Sequence, residues 1–240
     1  MAASLPLVTA QAGPLDVLYR DDALLVINKP SGLAAHRGHS SEHGDYVLTR
    51  ARDMLARPVY LPHRLDRATS GVMVIALEPH FVEPIQRAFQ EGRVSKRYLA
   101  LARGAIPERL LVDYAIPRAD GAPERIDAQT EFVLRGLFEA RYALVEARPR
   151  TGRYHQIRRH LKHLQRPVIG DTTYGDGKEN RLFRERFGLM RLALHAAELT
   201  FPHPRTEELL VIRAPFTSDL ARPLAAMGFP VDPISGQFEL

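Results

Sequence analysis

Short runs of alternating and β-branched apolar residues dominate the first half of the chain. Residues 16–20 and 23–28 form two such runs around Asp21 and Asp22, which predicts a β-hairpin. Residues 72–77 and 95–102 are further strand-like runs, and Tyr98 and Ala100 share one face of the second. Four later segments also have the pattern of strands: 130–133, 142–147, 192–195 and 209–213.

Three segments instead have the spacing of an amphipathic helix. The first has Asp45 as its predicted N-cap and an apolar face that begins at Val47. The second covers 85–91 and the third covers 156–165, ending before a proline. The segment 107–125 contains three prolines and a glycine, which predicts a loop-rich excursion.

Strands therefore outnumber helices, and several are joined as hairpins. This balance predicts an α+β fold with a mainly antiparallel sheet, rather than a regular βαβ alternation. We expect residues 1–13, rich in small side chains, to form a flexible N-terminal tail. Residues 14–240 then form one folded unit, as a single large domain or as two lobes, and the 45% hydrophobic content suffices for a normal core.

The composition limits the possible functions only coarsely. The 33 Lys and Arg residues outnumber the 28 Asp and Glu residues, and the net charge of +5 suggests a polyanionic partner. The absence of cysteine excludes disulfides and thiolate metal sites. We find no signal peptide and no apolar run long enough to span a membrane, so we expect a soluble cytoplasmic protein.

The segment 63–71, with the sequence HRLDRATSG, places one carboxylate between two arginines. Guanidinium groups beside Asp66 favour the ionised carboxylate, which suits a nucleophile better than a proton donor. Residues 69–71 read as a turn before the apolar strand, so Asp66 is expected on a loop at the mouth of that strand. An aspartate before a strand is also a common turn former, and the pattern alone leaves both interpretations open.

A second chemical feature is the segment 148–166, which contains seven Lys or Arg residues, three histidines and no acid. Its helical part would bury Ile157, Leu161 and Leu164 and present basic side chains to a phosphate backbone. A solvated surface helix is the alternative, but such faces normally mix both charge signs.

A metal site at the histidines of this segment is disfavoured. His155, His160 and His163 have no accompanying carboxylate, and adjacent cationic side chains would repel a metal ion. No glycine-rich phosphate loop is present either, so neither a nucleotide nor a dinucleotide cofactor is implied.

Several stretches, in order, resemble the RluA-type pseudouridine synthases. They are NKPSG at 28–32, HRLDRATSG at 63–71, SKRY at 95–98, TGRYHQIR at 151–158, HAAEL at 195–199 and FPHP at 201–204. Ordered motifs over most of the chain are far more specific than any one of them alone. The resemblance implies the pseudouridine synthase catalytic fold: a bent, mainly antiparallel sheet flanked by helices, with two lobes around a central RNA-binding cleft. It implies neither a metal nor an organic cofactor.

The resemblance also assigns roles to residues. It makes Asp66 the nucleophile, Arg158 its basic partner and Tyr98 the active-site tyrosine, which stacks on the base and serves in proton removal from C5. From spacing alone, Tyr98 reads as a core residue of its strand. Arg64 would occupy the space that a flipped base leaves. The side chains expected to contact RNA are Arg64, Arg67, Arg97, Arg153, His155, Gln156, Arg159 and Lys162.

Many members of this family carry an S4-like RNA-binding module before the catalytic domain, and we expect none here. The subset without it includes tRNA-modifying enzymes, and segments 158–161, 170–181 and 187–192 most resemble the subgroup that acts on uridine 65 of tRNA. We therefore expect a monomeric synthase with tRNA as its partner. Ribosomal RNA or another tRNA uridine is the first alternative, and a non-catalytic RNA-binding protein on the same fold is the second.

Overall fold

The computed structural model describes residues 13–36 and 45–238, which form eleven strands and five helices. The strands are β1 (Asp16–Arg20), β2 (Leu24–Lys29), β3 (Ser70–Ala76), β4 (Ser95–Arg103), β5 (Arg109–Asp113), β6 (Ile116–Pro117), β7 (Arg125–Ile126), β8 (Gln129–Phe138), β9 (Tyr142–Pro149), β10 (Leu194–Pro202) and β11 (Leu209–Arg213). The helices are α1 (Val47–Leu55), α2 (Val82–Gln90), α3 (Gln156–His163), α4 (Gly177–Phe187) and α5 (Ser218–Ala226).

Nine of the described strands join in one sheet, in the order β1-β2-β3-β10-β4-β9-β8-β5, with β11 paired to β10. Every neighbouring pair in it is antiparallel except β10 with β3, which is parallel. Strands β6 and β7 form a separate two-stranded hairpin. The predicted α+β fold with a mainly antiparallel sheet is therefore confirmed.

Strands β2 and β3 are buried on both faces, which explains why they read as continuous apolar runs. Val26 and Val74 pack on one face in the cluster that includes Ile85 of α2. Leu25 packs on the other face, in the cluster that includes Val47 of α1. The two helices therefore cover opposite sides of this part of the sheet.

A larger core lies under the other half of the sheet. It combines β4, β8 and β9 with apolar residues of the last three helices, among them Leu161 of α3, Phe183 of α4 and Leu224 of α5. None of the helices in the described ranges is both long and apolar enough to cross a bilayer.

Three local expectations need correction. Asp45 is not the N-cap of α1: Tyr46 holds that position, and Asp45 instead pairs with Arg50 at 2.5 Å. The segment 107–125 is loop-rich as expected, but it is not all loop, because Arg109–Asp113 forms β5 and pairs with β8. Edge-strand residues near prolines gave no period-2 signal strong enough to predict this strand.

The third correction concerns the turn after Asp66. The turn spans Arg67 and Ala68, with the Thr69 N–H donating to Asp66 O at 3.0 Å, whereas Ser70 already belongs to β3. The predicted tail at 1–13 lies outside the described residues apart from its last residue. The domain bounds and the division into two lobes stay predictions.

Candidate active site

The register of three adjacent strands sets the geometry of the site. Ala196 of β10 pairs with Gly71 of β3 on one side and with Tyr98 of β4 on the other. Gly71 has φ of 113°, and a Cβ there would lie 2.2 Å from the main-chain oxygen of Ala196, so only glycine allows this close approach. This pairing places Tyr98 level with the start of β3, the strand that follows Asp66.

A cavity of about 790 Å³ opens beside this row. Among the described residues that line it, five carry a permanent or nearly permanent positive charge and one carries a carboxylate. The cationic residues are Arg64, Lys96, Arg150, Arg153 and Arg158, and the carboxylate is Asp66. A cavity with this charge balance favours a polyanionic ligand.

Main-chain contacts with the segment after β2 fix the loop that carries Asp66. The Gly32 N–H donates to Arg67 O at 2.8 Å, and Lys29 Nζ donates to the same oxygen at 3.2 Å. Lys29 is 0% exposed, and its Nζ also donates to Leu33 O at 2.8 Å. Burial lowers the pKa of Lys29 to about 7, and its buried N–H groups need acceptors in either protonation state, so Lys29 locks this loop in place.

Asp66 has two cationic or potentially cationic neighbours, and both come from the end of the 150–158 segment. Its Oδ2 lies 3.6 Å from Arg158 Nη1 and 3.5 Å from His155 Nε2. Arg158 is itself held by a buried bidentate contact with Asp171, through Nε at 2.7 Å and Nη2 at 2.8 Å. The bidentate partner of Arg158 is therefore Asp171, whereas Asp66, which the resemblance pairs with Arg158, has only a longer contact with it.

Tyr98 and Lys96 project from β4 towards the cavity. Burial raises the pKa of Tyr98 well above its ordinary value, and the negative charge of Asp66 adds to the shift. The phenol is therefore neutral over the whole physiological range and presents an aromatic face and a hydroxyl group beside Asp66.

His155 is the N-cap of α3 and has φ of 54°, a left-handed conformation that is uncommon for residues other than glycine. Its ring stacks on Tyr154 with centroids 3.7 Å apart, and its Nδ1 lies 3.1 Å from the Tyr174 hydroxyl. Burial lowers the pKa of His155, although the charge of Asp66 opposes the shift. The strained backbone turns this imidazole into the cavity.

Comparisons with known proteins identify the family of this chain. The RNA pseudouridylate synthase family matches residues 23–163. The chain belongs to this family. The synthase is 40% identical over 220 residues to tRNA pseudouridine synthase C of Vibrio cholerae, which covers 83% of this chain and 90% of that protein.

Two solved human structures have the same fold as this chain. Human RNA pseudouridylate synthase domain containing 4 superimposes with a TM-score of 0.74 at 27% identity, over 89% of this chain and 93% of that chain. Human RNA pseudouridylate synthase domain containing 1 gives a TM-score of 0.69 at 30% identity, over 86% of each chain. The resemblance in sequence and the predicted fold class are both confirmed, and the synthase is an isomerase that converts uridine to pseudouridine.

The arginines next to Asp66 in sequence are not its partners in the folded synthase. Arg67 turns away and donates through Nε to Gly32 O at 2.8 Å. Arg64 lines the cavity, is exposed, and lies 3.4 Å from His36 Nε2. Adjacent side chains on a loop diverge, so the charge that faces Asp66 comes from a distant segment.

Arg97 does not reach the cavity. It lies on the opposite face of β4 from Tyr98, with its Nη2 3.2 Å from Glu198 and its Nη1 3.7 Å from Glu146. This arrangement follows from the alternation of side chains along a strand. The structure therefore does not bring Arg97 together with the other predicted RNA contacts.

Helix α3 also differs from the predicted basic face. Arg159 is buried, where it donates to Asp120 at 2.6 Å and to the Tyr174 hydroxyl at 3.0 Å. His160 is buried as well, with both ring nitrogens in hydrogen bonds. Lys162 is exposed but is not among the residues that line the cavity.

Gln156 and Arg153 both line the cavity but differ in how many of their hydrogen-bonding groups already have partners. The Gln156 amide accepts from Thr151 Oγ1 at 2.6 Å and donates to Gln129 O at 2.8 Å, so it mainly holds the loop before α3. Arg153 is exposed and retains donors beyond its 3.1 Å contact with Asp127 O. Of this pair, Arg153 is better placed to meet a phosphate group.

Two residues important to the geometry have no assigned role from the sequence. Asp171 orients Arg158, and Tyr174 contacts both His155 and Arg159. A charge argument could have found Asp171: an arginine on the buried side of a helix without acids needs a carboxylate from another segment, and the first acid after α3 is Asp171.

Proposed function

We propose that this synthase modifies tRNA, that its target is uridine 65, and that Asp66 is the nucleophile. The observation that carries the proposal is the position of Asp66, the only carboxylate among the described residues lining a cavity otherwise rich in cationic groups. The tRNA assignment is supported by the 40% identity to a protein named tRNA pseudouridine synthase C. With tRNA as substrate, we infer a cytoplasmic enzyme that acts as a monomer without a cofactor.

The reaction begins when the target uridine leaves its stack and enters the cavity, because its reacting atoms are inaccessible inside an RNA helix. Asp66 then attacks the flipped nucleotide, at C1′ of the ribose or on the ring, and the bond between N1 and C1′ breaks. The uracil turns within the cavity, and C5 bonds to C1′. Confinement keeps the detached base close enough to recombine.

Arg158 faces Asp66 without a tight hydrogen bond to it. Its two short contacts belong to Asp171, and its Nη1 faces Asp66 Oδ2 at 3.6 Å. A contact of this length places a positive charge beside Asp66 but leaves an oxygen lone pair available for attack.

The other residues of the cavity hold the RNA. The neutral ring of Tyr98 offers a face on which the base can stack. Arg64 is exposed at the rim, where it can occupy the space that the flipped base leaves. Arg153, Arg150 and Lys96 supply positive charge for the phosphates around the target nucleotide.

Tritium release from RNA labelled at C5 of uridine tests the reaction and the nucleophile. We expect release by the wild type and none above background by Asp66→Ala. Asp53→Ala is the matched control because Asp53 is an exposed helix residue, and it should leave release unchanged. Equal release by the wild type and Asp66→Ala would refute the nucleophile assignment, and binding of tRNA without release would favour a non-catalytic RNA-binding protein.

The target is tested separately by mapping pseudouridine in tRNA and ribosomal RNA from a strain that lacks the gene. We expect loss at uridine 65 of tRNA alone. Retention there, with loss at a ribosomal or different tRNA position, would reassign the substrate and leave the proposed chemistry intact.

A further inference from the structure

Formation of pseudouridine requires a proton acceptor in the cavity. After C5 has bonded to C1′ it still carries its hydrogen, and that proton must leave before the ring regains its double bond. If Asp66 attacks C1′, C5 later bonds to that same atom. If Asp66 attacks the ring carbon next to C5, C5 is already bonded to the attacked atom. The acceptor must therefore lie within a few ångströms of the reacting oxygen of Asp66.

Three ionisable residues of the cavity are poor acceptors. The Val74 N–H donates to His63 Nε2 at 2.9 Å, so the lone pair of this ring is already used, and burial lowers its pKa to about 4. Tyr98 is a neutral phenol with a raised pKa. Burial lowers the pKa of Lys96, but its Nζ is held as a donor to Thr151 O at 3.2 Å, and its ammonium form has no lone pair.

The hydrogen bonds around Tyr174 fix the tautomer of His155. The Tyr174 hydroxyl donates its one proton to Asp120 Oδ1 at 2.7 Å and accepts from Arg159 Nε at 3.0 Å. It can therefore only accept from His155 Nδ1, 3.1 Å away. Nδ1 thus carries the hydrogen of the neutral imidazole, and Nε2 presents a lone pair 3.5 Å from Asp66 Oδ2.

We propose that His155 Nε2 is the base that removes the proton from C5, an inference that rests on the proposed function. The C5–H bond breaks and its proton goes to Nε2. Its electron pair forms the C5–C6 double bond, and the π pair between C6 and N1 becomes a lone pair on N1. N1 then takes up a proton from solvent, and the imidazolium returns its proton to solvent.

The charges around His155 suit this order of events. Burial and the positive charges of Arg158 and Arg159 lower its pKa, whereas the negative charges of Asp66 and Asp120 raise it. The neutral rings of Tyr154 and Tyr174 complete its surroundings. While Asp66 is bonded to the nucleotide it carries no charge. It becomes an anion again when C5 displaces it from C1′ or, after attack on the ring, when its bond to the ring carbon breaks; both events precede loss of the C5 proton. His155 therefore gains basicity when the proton must leave.

The variant His155→Asn tests the proposal, because asparagine also tolerates the left-handed backbone at this position. The measurement is single-turnover conversion of a tRNA transcript that carries hydrogen or deuterium at C5 of uridine. We expect conversion to slow by about 10²- to 10⁴-fold, the usual contribution of a general base. We also expect a larger C5 isotope effect than in the wild type, because loss of the base makes proton removal limiting.

A pH series gives a second readout. The wild-type rate should fall as the pH drops through the lowered pKa of His155, since protonated Nε2 has no lone pair, and this acid limb should be missing in His155→Asn. The matched control is His163→Asn, on the exposed end of the same helix and outside the cavity, which should match the wild type. Thermal unfolding followed by circular dichroism checks that both variants are folded.

Two results would overturn the proposal. Conversion by folded His155→Asn within a few-fold of the wild type would show that another group, such as Lys96 or the regenerated Asp66, takes the proton. Slow conversion with an unchanged isotope effect would show that His155 only positions Asp66. A wild type that forms no pseudouridine in any RNA would instead refute the proposed function, so the two failures are distinguishable.

Discussion

Replacement of Asp171 should both destabilise the synthase and slow it. Asp171 is 0% exposed in its side chain and forms two short contacts with Arg158, which is 7% exposed. Removing one partner of a buried ion pair costs about 3–5 kcal/mol, because the other charge stays buried without compensation. Asp171→Asn should lower the free energy of unfolding by this amount while keeping the Oδ1 acceptor for the N–H groups of Thr173 and Tyr174.

The comparison with Asp171→Ala separates the ion pair from these backbone contacts. Alanine also leaves the N–H groups of Thr173 and Tyr174 without their acceptor, at a further cost of about 1–3 kcal/mol for each buried donor. Because small domains have only about 5–15 kcal/mol of stability, Asp171→Ala should be close to unfolded. Urea unfolding at neutral pH measures the free energy of unfolding of all three proteins, which should fall from the wild type to Asp171→Asn to Asp171→Ala.

The difference in stability between the wild type and Asp171→Asn should change with pH in a direction that can be measured. Burial alone would raise the pKa of Asp171, but the hydrogen bonds from Arg158 and from the Tyr174 N–H outweigh it and hold the pKa below its ordinary value. Stability from a depressed carboxyl pKa is present above about pH 4 and is lost as the pH falls through the folded-state pKa. The gap between the wild type and Asp171→Asn should therefore shrink below about pH 4. A gap that stays constant down to about pH 3.5 would refute the reasoning.

Three further substitutions test other parts of the site. Gly71→Ala places a Cβ 2.2 Å from Ala196 O, and we expect a loss of more than about 4 kcal/mol by urea unfolding, or no folded protein. Lys29→Met leaves three carbonyl acceptors without a donor and should cost about 3 kcal/mol or more, whereas the exposed control Lys162→Met should stay within about 0.5 kcal/mol of the wild type. Arg153→Ala should raise KM for tRNA several-fold with little change in kcat, and the difference should shrink as salt is added. An equal loss in kcat would instead place Arg153 in the chemical step.

Local patterns predicted most strands and the location of the loop that carries Asp66. The apolar runs of β2 and β3 are explained by burial on both faces, and the charged segment before β3 is a loop as expected. The period-2 alternation along β4 also excludes one of the predicted RNA contacts. Arg97 and Tyr98 are adjacent on one strand and must face opposite sides, so both could not line one cavity.

The partners of α3 could not be read from its own sequence. The segment 148–166 has no acid, yet Arg158 pairs with Asp171 and Arg159 pairs with Asp120, which is 39 residues away along the chain. Three of its seven Lys and Arg residues, Arg148, Arg158 and Arg159, therefore form ion pairs with carboxylates from outside the segment. Only the tertiary structure shows which of its charges remain for RNA.

The proposed attack by Asp66 explains why its contact with Arg158 is long. A carboxylate held by two short guanidinium hydrogen bonds would be ionised, but those bonds would have to break before its oxygen could attack. Asp171 takes the two short contacts of Arg158 and keeps Nη1 3.6 Å from Asp66 Oδ2. In Asp171→Asn the freed guanidinium would close on Asp66, so kcat should fall although Asp66, the proposed nucleophile, is unchanged. Unchanged kcat in a folded Asp171→Asn would show that Arg158 is held in place without Asp171.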